Sequence, residues 1–508
     1  MPLMYCHAKL KNISQHTVIS AHLFLPDYSP MNRDSFYPAI ACFPLLLMLA
    51  GCAPMHETRQ ALSQQTPAVQ VDTALPTALK NGWPDSQWWL EYHDNQLTSL
   101  INNALQNAPD MQVAEQRIQL AEAQAKAVAT QDGPQLDFSA DMERQKMSAE
   151  GLMGPFALND PAAGTTGPWY TNGTFGLTAG WHLDIWGKNR AEVTARLGTV
   201  KARAAEREQT RQLLAGSVAR LYWEWQTQAA LNTVLQQIEK EQNTIIATDR
   251  QLYQNGITSS VEGVESDINA SKTRQQLNDV AGKMKIIEAR LSALTNHQTK
   301  SLKLKAVALP KVASQLPDEL GYSLLARRAD LQAAHWYVES SLSTIDAAKA
   351  AFYPDINLMA FLQQDALHLS DLFRHSAQQM GVTAGLTLPI FDSGRLNANL
   401  DIAKAESNLS IASYNKAVVE AVNDVARAAS QVQTLAEKNQ HQAQIERDAL
   451  RVVGLAQARF NAGIIAGSRV SEARIPALRE RANGLLLQGQ WLDASIQLTG
   501  ALGGGYKR

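Results

Sequence analysis

Two kinds of apolar spacing divide the chain. Over residues 173–186, apolar side chains fall at every second position: Phe175, Leu177, Ala179, Trp181, Leu183 and Ile185. Over 380–391, Val382, Ala384, Leu386, Leu388 and Ile390 do the same. A period of two marks a strand with one apolar face. Shorter stretches near 134–142 and 354–362 read as further strands, at lengths suited to tilted transmembrane strands of about 9–11 residues. Trp181, Trp186, Phe352, Tyr353 and Phe391 gather at one end of these segments, where a membrane-interface girdle would hold them. A soluble hairpin with one buried face shows the same alternation.

Elsewhere the spacing is helical. Residues 187–253 contain no proline and only Gly198 and Gly216 inside; residues 394–461 contain no proline and only Gly454 inside. Each stretch would extend near 100 Å as one helix, at about 1.5 Å per residue. Val418, Val422, Val425, Ala429, Val432 and Ala436 follow three-and-four spacing, as do Leu231, Leu235, Ile238, Ile245 and Leu252. This is a coiled-coil stripe, with alanines admitting close approach. The helices should turn at Asn255 and Gly256, and at Ala462 and Gly463, into return helices over 259–295 and 467–500. Pro476 should kink the second return helix. A soluble coiled-coil scaffold fits these helices equally well.

The two kinds of segment recur in the same order. The run from Gly176 to Gly187 aligns with that from Gly381 onward at an offset of 205, and Tyr253 to Gly256 with Phe460 to Gly463 at 207. Upstream, Pro134 answers Pro354 at 220, so the first half carries a longer loop, roughly 143–172, rich in Gly, Pro, Asn and Thr. The expected organisation is a leader over 1–51, an N-terminal segment over 52–95, a first repeat over 96–310 and a second over 317–503. The fold class is a mixed α/β membrane protein: mainly a long α-helical coiled-coil barrel, plus four transmembrane β-strands per chain. Four strands cannot seal a barrel in lipid, where an unpaired backbone group costs several kcal/mol. Three chains would supply 12 strands, within the even-numbered range of outer-membrane barrels.

Composition narrows the chemistry. Of 508 residues, 46 are Lys or Arg and 48 Asp or Glu, giving a formal net charge of −2. That balance lacks the basic face nucleic acid requires. Cys6, Cys42 and Cys52 all lie near the start, so no later segment forms a cysteine-based metal site or internal disulfide. Residues 36–49 are apolar at the length of a signal-peptide core, interrupted by Pro38 and Pro44. They lead into Leu49, Ala50, Gly51 and Cys52, which resemble the bacterial lipobox; Cys52 is the expected lipidation site and the covalent lipid the only expected cofactor. Met31, Asn32 and Arg33 would make an ordinary positive start, with Met31 the expected initiator. Ala53 after Cys52 matches sorting to the outer membrane. The histidines are scattered, and no phosphate loop, metalloprotease pair, nucleophile elbow or metal-ligand cluster is legible, so neither catalysis nor a metal is expected.

On these residues the chain resembles the TolC-like outer-membrane factor family, in its NodT-type lipoprotein branch of drug-efflux channels. The resemblance rests on the lipobox, the Trp88–Trp89 pair, the runs Leu183 to Lys188 (with Asp184 and Gly187) and Leu388 to Arg395 (with Asp392 and Gly394), and the turns Tyr253 to Gly256 and Phe460 to Gly463. It implies a homotrimer in the outer membrane, a helical tunnel through the periplasm, a periplasmic adaptor protein and an inner-membrane pump. It also implies a constriction just past the tip turns, at Glu262 and Glu472. Arg469 stands where the family often has an acid; three residues from Glu472, it can pair with it on one helix face. The alternative for these charges is a solvated helix face. The resemblance implies efflux of drugs or other toxic small molecules. A protein-export duct of a type I secretion system and a lipid-anchored periplasmic coiled-coil scaffold are the competing readings.

Overall fold

The computed structural model describes residues 82–146, 169–296, 302–311 and 321–506, together with Met55, 61–64 and Ser148. The leader and Cys52 lie outside the described residues. After a 3-10 turn at Trp88–Tyr92 come α1 (Asn95–Asn107), α2 (Pro109–Ala129), β1 (Gln135–Lys146), β2 (Trp169–Leu183), α3 (Lys188–Gln254) and α4 (Ser260–Leu294). The second half gives α5 (Gly321–Arg327), α6 (Ala329–Ala350), β3 (Asp355–Ala366), β4 (Gln378–Thr387), α7 (Arg395–Asn461) and α8 (Gly467–Ala501). Both long helices have 67 residues and both return helices 35. Helix α8 is continuous through Pro476. No described helix is long and apolar enough to cross a membrane.

The strands form one antiparallel sheet in the order β1-β2-β3-β4. The inner pair joins the halves, with Leu177 opposite Leu362 and Trp181 opposite Leu358. Pairing of β1 with β2 continues to Lys146 opposite Trp169, so both margins of the expected loop are strand. In the other direction β2 stops at Leu183 and β4 at Thr387. Ile185, Leu388 and Ile390 therefore lie beyond the strands, in the connections to α3 and α7. Pro389 lacks the N–H a ladder needs, and Asp184 and Asp392 turn to serve the helix starts instead.

Near the sheet, the helices lie side by side as α2-α3-α6-α7; toward the tips the order is α4-α3-α8-α7. Gly198 permits close approach of α3 to α6, since a Cβ there would lie 3.0 Å from the Ser340 Cβ. The core at mid-length holds Trp88, Trp89, Leu97 and Ile101 against Leu214, Val218, Tyr222 and Trp223 of α3, with Ile287, Leu291, Leu492 and Ile496. The second half matches it with Val418, Val425, Ala429 and Val432 of α7 against Leu331, Val338, Leu498 and Leu502. Toward the first tip, Leu235 and Ile238 are core as expected, and Ile246, not Ile245, continues the stripe.

The strap between the halves, residues 302–311, is held by glutamine side chains acting as surrogate backbone. Fully buried Gln226 donates to the Lys305 carbonyl at 2.9 Å and accepts from the Val307 N–H at 2.8 Å. Gln96 accepts from the Lys305 N–H at 3.0 Å, and Gln488 donates to the Pro310 carbonyl at 3.1 Å. The strap thereby satisfies the buried Gln226 amide, which burial would otherwise leave without partners.

Candidate conduit: barrel wall, junctions and tips

Cross-strand register sorts the sheet into two faces, because directly opposed residues point the same way. One face carries Leu136, Phe138, Ala140 and Met142 of β1, then Phe175, Leu177, Ala179, Trp181 and Leu183 of β2. It continues through Ile356, Leu358, Ala360 and Leu362 to Met380, Val382, Ala384 and Leu386. Many of these are left in the open, Phe138 at 67% exposure and Val382 at 81%. The other face carries Asp137, Ser139, Asp141, Glu143, Thr174, Thr178, Asn357, Gln363, Asp365, Gln379 and Thr383. All five strand carboxylates, Asp355 included, lie there. From Leu183 to Gly173 the apolar band spans ten residue steps, about 26 Å of height at about 3.4 Å per residue and a tilt of about 40°. That matches the roughly 25 Å lipid-facing band of an outer-membrane barrel.

Two of the tryptophans expected in a girdle are anchored by their indole N–H groups. The Trp181 indole donates to the Asp132 carbonyl at 2.8 Å, and that of Trp186 to the Pro354 carbonyl at 2.8 Å. The Trp186 ring stacks on Tyr353 at 5.0 Å between centroids. Phe391 is exposed as expected, but Phe352 is not a girdle residue. It is buried with Leu396 and Leu400, sealing the helix layer below the sheet.

Each strand-to-helix junction is an aspartate cap over a left-handed glycine. Asp184 accepts from the N–H groups of Asn189 at 3.2 Å and Arg190 at 2.9 Å, while Gly187 sits at φ +76°. Asp392 accepts from Gly394 N–H at 3.0 Å and Leu396 N–H at 2.8 Å, with Gly394 at φ +86°. The carboxylates serve free donors at the positive ends of α3 and α7. Glycine alone takes this φ without Cβ strain.

The tips are a matched pair. Gly256 (φ +69°) donates to Tyr253 O and Ile257 to Leu252 O, at 2.9 and 2.8 Å; Gly463 (φ +72°) donates to Phe460 O and Ile464 to Arg459 O, at 2.8 and 2.9 Å. The six-to-one bond to a glycine-terminated helix is the Schellman motif. Beyond the turns the halves diverge. Ser259 caps α4, accepting from the Val261 N–H at 3.2 Å and donating to the Glu262 carboxylate at 2.5 Å. This is a capping box; chiefly that hydroxyl bond, with backbone bonds besides, holds the Glu262 pKa below the usual carboxylate value. Helix α8 has Ala466 at its N-cap and so no side-chain cap, and its first turn holds Arg469 donating to Glu472 at 2.7 Å. All three charged groups are exposed and occupied within their own helix turns.

Sequence reading missed the ties among helices, one of them between the halves. Arg474 of α8 reaches Glu241 of α3 at 3.3 Å and Gln457 of α7 at 3.1 Å. Arg328 donates to both Asp330 oxygens at 3.0 and 2.6 Å and to the Ala501 carbonyl at 3.1 Å, with Asp424 at 3.6 Å. Spacing gives no sign of Arg474 with Glu241 or of Arg328 with Ala501 and Asp424, whose members lie far apart in sequence. Three successive left-handed glycines, Gly503, Gly504 and Gly505, follow α8; a Cβ on Gly503 would meet the Arg327 carbonyl oxygen at 1.8 Å. Among the described residues no cluster of three or more His, Cys, Asp or Glu could hold a metal ion.

Comparison with known proteins places this architecture. The chain is 98% identical over 478 residues to the "Multidrug resistance outer membrane protein MdtQ" of Escherichia coli O6:H1, covering 94% of this chain and all of that one. It is 36% identical over 466 residues to the "Multidrug resistance outer membrane protein MdtP" of Shigella flexneri, covering 91% and 94%. The outer membrane protein VceC of Vibrio cholerae superposes with a TM-score of 0.72 at 25% identity, over 84% of this chain and all of that one. The family profile described as "Outer membrane efflux protein" matches residues 100–297 and 320–504, one stretch in each half. The chain belongs to the outer membrane efflux protein family.

Proposed function

We propose that this chain is one third of a passive efflux duct: three copies close a 12-stranded barrel in the outer membrane above a helical tunnel, joined in the periplasm to an adaptor and an inner-membrane pump. The observation that carries the reading is that sheet and helix layer end at the same two edges. Strands β1 and β4 are the outer strands, and α2 and α7 the outer helices beneath them. Among the exposed apolar residues of those helices are pairs at heptad spacing: Val113 and Leu120 on α2, Ile402 and Leu409 on α7. Toward the tips the edges are α4 and α7, with Val261, Val264 and Ile268 on one and Ile445 and Val452 on the other. Such stripes are coiled-coil seams lacking a partner. Unlike edges meet head to tail, which generates a ring where the rotation closes.

Drugs and other toxic small molecules are the proposed cargo, a reading supported by the multidrug names of the relatives. Transport requires no catalysis by this chain, since the pump supplies the energy. A lipid on Cys52 anchors the assembly, and Glu262, Arg469 and Glu472 stand at the periplasmic mouth. The direct test is migration of the detergent-extracted, full-length protein without heating, expected at three times the monomer mass and converting on boiling. A water-soluble monomer after removal of the acyl chain would favour the periplasmic scaffold. Deleting the chain should raise drug sensitivity and leave secreted proteins unchanged; the reverse pattern would favour protein export.

A further inference from the structure

We propose that the outward rim of β1, at Arg144 and Lys146, binds phosphate-bearing headgroups of the outer leaflet; this rests on the barrel reading above. The charges of the sheet are divided by face. Asp137, Asp141, Glu143, Asp355 and Asp365 share the inner face, whereas Arg144 and Lys146 sit at even positions of β1, in register with the apolar outer face. Arg144 and Glu143 are chain neighbours on opposite sides of the wall. A cation placed to neutralise the lumen carboxylates would take an odd position; these two take even ones.

Height along the strand supplies the second constraint. The outward positions of β1 run Leu136, Phe138, Ala140, Met142, then Arg144 and Lys146, at the end farthest from the helices and so toward the cell exterior. Both cations lie past the last aliphatic row of β1, at the height where an outward charge costs far less than at mid-membrane. Arg144 is held in place, donating to Thr171 Oγ1 at 3.1 Å with its guanidinium 5.9 Å from the centre of the Trp169 ring. Lys146 stands directly opposite Trp169 in the ladder. Two cations flanking an interfacial tryptophan, facing lipid at headgroup depth, match a phosphate monoester in charge and position.

The test titrates the purified full-length trimer in detergent with fluorescent lipid A, in its doubly phosphorylated and its dephosphorylated form. The wild-type protein should prefer the phosphorylated lipid by about thirtyfold, for two interfacial cations at about 1 kcal/mol each. The R144Q/K146Q variant should lose that preference, while R144K/K146R and the inward-facing E143Q should keep it. Equal affinity of the wild-type protein for both lipids, or an undiminished preference in R144Q/K146Q, overturns the proposal. Unheated gel migration of each sample separates the two failures: a wild-type protein that runs as a monomer overturns the ring, and this inference with it.

Discussion

A capping interaction at an exposed helix end changes how the tip carboxylates are understood. Glu262 closes a box with Ser259 at the start of α4, so its first task is to satisfy donors of its own helix. Ser259→Ala should weaken that end by about 1 kcal/mol, seen as roughly fivefold faster amide exchange in the first turn of α4 and unchanged exchange in α8. Because the folded-state pKa of Glu262 is depressed, its contribution is present above the ordinary carboxylate pKa and fades as pH falls through the folded value. Protection in that turn, corrected for the intrinsic exchange rate, should therefore fall only below pH 4.5, and Glu262→Ala should abolish that pH dependence. Arg328 presents the contrary case, an almost buried cation whose desolvation is outweighed by Asp330 and Asp424, which raise its pKa. Arg328→Ala leaves Asp330 without its cation, while Asp424 keeps Arg427 at 2.8 Å, and should cost about 2 kcal/mol, measured as a lower dissociation temperature of the assembly.

Elements were legible where a physical period or a conformational requirement wrote them into the sequence. Alternation marked β2 and β4, the absence of proline marked α3 and α7, and Gly256 and Gly463 marked both tips, because only these features force local geometry. Strand ends were less legible: Leu388 and Ile390 continue the alternation of β4, yet Pro389 and the Asp392 cap end the ladder at Thr387. Phe352 had the composition of a girdle residue and the position of a core residue, a distinction set by α7 packing on it from some forty residues away. Long-range ties such as Arg474 with Glu241 had no sequence signature. That bond, together with Gln457, joins α8 to α3 and α7 above the tips. Arg474→Ala should loosen the two coiled-coil pairs, raising single-channel open probability in planar bilayers. Unaltered gating in that variant would remove the tie from any account of opening.

For the molecule as a whole, the two faces of the sheet make opposite demands on one substitution. Leu177→Arg on the outer face should cost about 2–4 kcal/mol and lower the yield of membrane-inserted protein, whereas Thr178→Arg, one residue along and facing the lumen, should insert normally and shift ion selectivity toward anions. Insertion yields alike in the two variants would contradict the facing assigned by register. The unlike edges carry a genetic consequence. In the proposed ring every copy offers β1 and α2 to one neighbour and β4 and α7 to the other, so a copy spoiled on one side alone still joins on its sound side. Such a subunit terminates assembly instead of standing aside. Co-expressed in equal amount with the intact chain, it leaves about one complex in eight composed wholly of sound copies, and the allele should behave as dominant.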